Sequence, residues 1–115
     1  MANITKNQAR ARAKERREAI QERADQLRNT ADDLRAEAEE LRNLAEELRD
    51  EADNIEPYEN RDELTEQQEE RAEWLNEQAD TLEEQADNVD ERADEIESQA
   101  DELDDIIAEL ENIDF

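Results

Sequence analysis

The sequence predicts an all-α protein: two long helices forming an antiparallel coiled-coil hairpin with alanine along its seam. Three observations lead there. Apolar residues recur at heptad spacing through two long stretches. That repeat breaks once, near the middle, around the single proline, Pro57. The residue after each large apolar position is mostly basic in the first stretch and mostly acidic in the second.

The first helix is expected over about 5–55. Thr5 followed by Gln8 has the spacing of a capping box. Heptad position a is then Ala24, Ala31, Ala38, Ala45 and Ala52, and position d is Ile20, Leu27, Leu34, Leu41, Leu48 and Ile55. A turn is expected within about 56–62. Pro57 disfavours helix at Glu56 and suits a first helical position, and Asn60 with Glu63 offers a second capping box. The second helix is expected over about 62–112. Its a positions are Ala72, Ala79, Ala86, Ala93, Ala100 and Ile107, and its d positions are Leu75, Leu82, Val89, Ile96, Leu103 and Leu110. Carrying the first phase through the break would place Glu59 and Glu66 at a, so there are two arrays rather than one. The chain has no glycine and is rich in Ala, Glu, Arg, Leu and Gln, which favours helix throughout. Each helix of about 50 residues would span about 75 Å at 1.5 Å per residue. Residues 1–115 are read as one helical-hairpin domain.

Position e explains the difference between the stretches. It holds Lys14, Gln21, Arg28, Arg35, Arg42 and Arg49 in the first and Glu69, Asn76, Glu83, Asp90, Glu97, Asp104 and Glu111 in the second. Antiparallel helices bring e flanks together, so basic e meets acidic e. One register pairs Lys14 with Asp104, Arg28 with Asp90, Arg35 with Glu83 and Arg49 with Glu69. It also sets Glu51 opposite Arg71 and one alanine against one large residue in each layer. A shift of one heptad preserves much of this pattern, so the absolute register is open. Such exposed pairs set orientation more than stability. Residues 6–17 hold six bases and one acid, and 101–114 hold seven acids and no base. An antiparallel fold lays these opposite each other, within one chain or between two swapped chains. Two helices alone make a thin core, which favours further assembly into a bundle or pairing with another protein.

Charged residues make up 46% of the 115-residue chain and the net charge is −25. Composition of this kind is also met in disordered chains, and the heptads argue against that. Of the 14 basic residues only Lys6 and Lys14 are lysine. This acid-rich, lysine-poor composition resembles that of proteins from salt-in halophiles, haloarchaea and their viruses. The periodicity resembles that of coiled-coil structural proteins in general. The halophile resemblance implies a surface adapted to molar salt, where the Debye length is about 3 Å and acidic repulsion is screened. An acidic coiled coil working in ordinary salt is the alternative. On the halophile reading, helicity followed by circular dichroism should rise with KCl and fall in dilute buffer. Full helicity in millimolar salt would sink that reading.

Chemistry is sparse. There is no histidine or cysteine, and Ser98 and Tyr58 are the lone residues of their kinds. Without glycine there is no phosphate-cradling loop. Carboxylate pairs such as Glu39 and Glu40 fall on outer positions, where a solvated face explains them. No EF-hand loop is present. The expectation is a non-enzyme without cofactor, metal or catalytic residues. No apolar run approaches the roughly 20 residues of a membrane helix, and no signal peptide is expected, so a cytoplasmic or virion location follows.

Partners are expected to be protein, either a second copy or another subunit of an assembly. The stretch KNQARARAKERR (6–17) invites a phosphate reading. The rest of the chain is net −30 and would repel nucleic acid, so pairing with the acidic tail is preferred. Candidate partner contacts are Leu44, Trp74, Ile106, Ile113 and Phe115, which lie off the a and d positions. Gln78, Gln85, Gln99 and Thr30 share the g flank with Leu44, Ile106 and Ile113. The function expected is a rigid structural or assembly element: a spacer or oligomeric subunit, suited to a small virion, tail or scaffold. The alternative is an acidic coiled-coil regulator or DNA mimic that engages a protein.

Overall fold

In the computed structural model, which describes residues 4–113, two long helices pack against each other and no strand is present among those residues. Helix α1 runs Lys6–Asp53 and helix α2 runs Glu66–Glu111. The start of α1 is the one expected. The Thr5 N–H donates to Gln8 Oε1 at 3.0 Å, and the Gln8 N–H donates to Thr5 Oγ1 at 3.1 Å. Two donors that a helix start leaves orphaned are thereby satisfied.

The connection differs from the expectation. It occupies 54–65, where a shorter turn at 56–62 was expected. Pro57 lies inside this loop, well before α2 begins, so it is not a first helical residue. Asn60 does not cap a helix either. It adopts φ 74° at the third position of a turn closed by the Arg61 N–H on Tyr58 O at 3.0 Å. Asparagine tolerates this left-handed geometry and is suited to that position. The working cap is Thr65. Its Oγ1 accepts from the Gln68 N–H at 3.2 Å, and its own N–H donates to Gln68 Oε1 at 3.0 Å. Gln68 Nε2 also donates to Glu56 O at 2.8 Å, which ties the cap to the start of the loop. That second tie is what Asn60 and Glu63 lack. Thr65→Ala should cost about 1 kcal/mol, a typical cap loss, read as a lower midpoint in thermal unfolding. An unchanged midpoint would remove the cap from this account.

The chain divides into two compact units. One takes the stretch through Asp33 with the stretch from Arg92 onward; the other is Leu34–Glu91. In the first, Ala24, Ala31, Ala93 and Ala100 are 0% exposed. In the second, Ala38, Ala45, Ala79 and Ala86 are likewise 0% exposed, with Ala52 and Leu75 buried beside them. The larger residues Leu27, Leu34, Leu41 and Leu48 are only half-buried. A small methyl can be covered completely by one neighbouring helix, whereas a leucine at the margin of the contact keeps a side toward solvent. Among the described residues no polar or charged residue is buried, so this packing asks for no internal hydrogen bonds beyond the helical backbone. No helix is long and apolar enough to cross a membrane.

Candidate functional site

The most regular polar feature is an arginine that spans two carboxylates one turn apart. In the Leu34–Glu91 unit, Arg42 Nη2 lies 2.9 Å from Asp87 Oδ1 and 2.6 Å from Asp90 Oδ2. Seven residues on, Arg49 pairs with Asp80 and Glu83. In the other unit Arg28 pairs with Asp104 and, at 3.1 Å, with Asp101. Each acidic couple is spaced i, i+3, the spacing that puts two side chains on one helical face. These arginines are half-buried: their aliphatic stems lie along the helix contact while the guanidinium stays in water. Hydrogen bonds raise the pKa of all three above the ordinary guanidinium value. The donors act on Asp104 then Asp101 for Arg28, on Asp87 then Asp90 for Arg42, and chiefly on Glu83 for Arg49. On the Leu34–Glu91 unit's other flank Arg71 Nη2 lies 3.0 Å from Glu51 Oε1, the couple that heptad position places there.

The partners differ from those the sequence register pairs. Arg28 meets Asp104 rather than Asp90, and Arg49 meets Glu83 rather than Glu69. In both cases the observed acid lies two heptads further along α2. A helical side chain leans toward its own N-terminus, which carries each arginine head toward later residues of α2, while Glu51 and Arg71 form the couple that the sequence register set opposite each other. With Asp104 held by Arg28, Lys14 instead lies 4.0 Å from Glu18 on its own helix. Glu69 sits in the first turn of α2, its N–H donating to Thr65 O at 3.0 Å; an acid there suits the positive end of the helix dipole. Arg35 is not without a partner, and Asp90 belongs to Arg42.

Sequence reasoning missed Asp80, Asp87 and Asp101. The signal was present, because each precedes its e-position acid by three residues. Among the candidate partner contacts, Trp74 is 53% exposed, and Leu44, Ile106 and Ile113 are exposed as well. Phe115 lies outside the described residues. The surface depressions are shallow and charged; one is lined by Arg42, Glu46, Arg49, Glu83 and Asp87. Among the described residues no three histidine, cysteine or carboxylate side chains converge as a metal site would need. No protein-family model matches the chain, and neither a curated protein nor a solved structure matches it.

Proposed function

We propose that the chain is a non-enzymatic structural or assembly element, a rigid antiparallel coiled-coil hairpin that works as a spacer or oligomeric subunit in high salt. Its seam is read as the row of alanines that recurs every seven residues. The observation that carries this reading is the repeated arginine clamp above a wholly apolar contact. Arg42 and Arg49 advance seven residues along α1 while their acids step back seven along α2. A device repeated at fixed spacing stiffens and orients a helix pair, and it creates no localised site at which a reaction would run. Single copies of serine and tyrosine and the lack of histidine and cysteine agree with a non-catalytic role. A small virion, tail or scaffold part would use such an element. The acid excess fits work at molar salt, where screening lets it stay compact.

A second reading rests on Trp74 and Leu44, large apolar residues held in water on one unit. Exposed aromatics are enriched where proteins meet, so an acidic coiled-coil regulator or DNA mimic would use them to grip a protein. Stoichiometry separates the two. The complex isolated from its native source is weighed by native mass spectrometry. Many ordered copies per assembly support the structural reading. One copy bound to one different protein overturns it in favour of the regulator.

A further inference from the structure

The start of α1 is chemically unlike the rest of the molecule. Residues 6–17 carry six basic groups and one acid, while the remainder is net −30. Among the described residues, Lys6, Arg10, Arg12, Arg16 and Arg17 take part in no ion pair. Expectation set this stretch against the acidic tail of α2. The structure instead brings the last turn of α2 level with the second half of it, because Lys14, Arg17, Glu18 and Gln21 line one depression with Ile107 and Glu111. Arg12, Glu15 and Arg16 line a second depression, on another face of the same helix.

Two features show that this end is not an ordinary helix start. There is no acid in the first turn of α1, although the helix dipole favours acids there and disfavours Lys6. In addition, the heptad continues backward as Arg17, Ala13, Arg10 and Lys6, which replaces the apolar a and d residues largely by cations. A stripe of this kind fits an acidic surface rather than an apolar one.

The same unit carries that surface. Glu102, Ile106, Glu109 and Ile113 recur at four, three and four residues along α2, with Asp105 beside them. Lys6, Arg10, Ala13 and Arg17 recur at the same intervals. Glu102, Asp105 and Glu109 are exposed and take part in no ion pair among the described residues. Ile106, Ile113 and, next to the arm, Ile4 are exposed large apolar residues.

We propose that this unit is a self-complementary docking end. The basic start of α1 of one copy lies on the Glu102–Glu109 face of a second copy, and the reverse contact forms around a two-fold axis. One patch that is cationic on one helix and acidic on the other is what an isologous pair requires. The exposed isoleucines supply the apolar part of the contact. Two basic arms facing each other would repel. This proposal deepens the assembly reading and rests on it.

The test is mass by light scattering on the full chain, with helicity read on the same samples, from about 0.15 to about 1 M KCl, over which the Debye length falls from about 8 to about 3 Å. The wild-type chain should be dimeric. Reversing Lys6, Arg10, Arg12, Arg16 and Arg17 to glutamate should weaken the dimer at least about tenfold, the equivalent of about 1.4 kcal/mol. Glu102→Lys, Asp105→Lys and Glu109→Lys together should weaken it as well, and both sets combined should restore it. Should the arm variant lose helicity, the α2 variant gives the same readout from the other side. A helical monomer in the wild type overturns this inference and leaves the coiled-coil element standing. Loss of helicity in the wild type at about 1 M KCl overturns both. A dimer indifferent to both sets overturns the docking end. Duplex DNA titrated into the wild type by fluorescence anisotropy is expected not to bind; binding lost in the arm variant, with a monomeric wild type, would assign the arm to phosphate.

Discussion

Replacing Ala38 with aspartate is expected to remove a large share of the stability of the Leu34–Glu91 unit and to lower its unfolding midpoint steeply. Ala38 is 0% exposed in a contact with no buried polar neighbour. A carboxylate there loses its water and gains no compensating hydrogen bond. An uncompensated buried charge costs about 3–5 kcal/mol, against a total stability of about 5–15 kcal/mol for a typical domain. The control lies two residues away. Ala36 is exposed on the same helix, so Ala36→Asp should cost only the propensity difference, at most about 0.7 kcal/mol. Thermal unfolding followed by circular dichroism compares the two. The pH dependence has a definite sign. Burial raises the pKa of the new carboxylate, so the folded state binds its proton more readily. The deficit of Ala38→Asp relative to Ala36→Asp should therefore shrink as pH falls toward the usual carboxylate range. Equal losses in the two variants would mean that Ala38 does not lie in a helix contact.

The second large effect concerns register. Reversing Arg42 and Arg49 to glutamate sets each new acid against two existing ones: Asp87 with Asp90, and Asp80 with Glu83. The unfolding midpoint should drop by several degrees in low salt and by less in molar KCl, because exposed charges are screened. Adding Glu83→Arg and Asp90→Arg should recover most of the loss. Adding Glu69→Arg should recover none, although the sequence register pairs that residue with Arg49. Recovery through Glu69 would return the helices to the register read from sequence. The arginines stay charged throughout, since their carboxylate partners push their pKa upward. The clamps therefore respond to salt, and base within the working range leaves them intact.

The arginine clamps illustrate how much of the candidate site was legible. Their basic member, their acidic class and their e positions follow from the heptad alone. The second acid of each clamp was overlooked because it occupies position b, which reads as solvated face until a neighbouring helix brings an arginine across it. The exposure of Trp74, Leu44, Ile106 and Ile113 was legible for a related reason: a large apolar residue off the a and d positions has no place in a two-helix contact.

What the sequence determined by itself is everything set by local periodicity. Heptad spacing, helix-forming residues and the Thr5–Gln8 cap specify two helices with one interruption, and they specify which alanines are buried, except that Ala72 at the start of α2 is only half-buried. These depend on contacts within one turn or on which face of a helix is apolar. The tertiary structure alone decided the register, the length of the loop and the cap that ends it. A heptad repeat slid by seven residues offers the same residue types to its neighbour, so every such slide has nearly the same pattern of burial and charge. Only residues outside the repeat distinguish them. Thr65 and Gln68 bind the loop back to Glu56, and Asn60 turns the chain with a positive φ. Those contacts join parts of the chain that the repeat does not relate, and they fix the point from which the pairing starts.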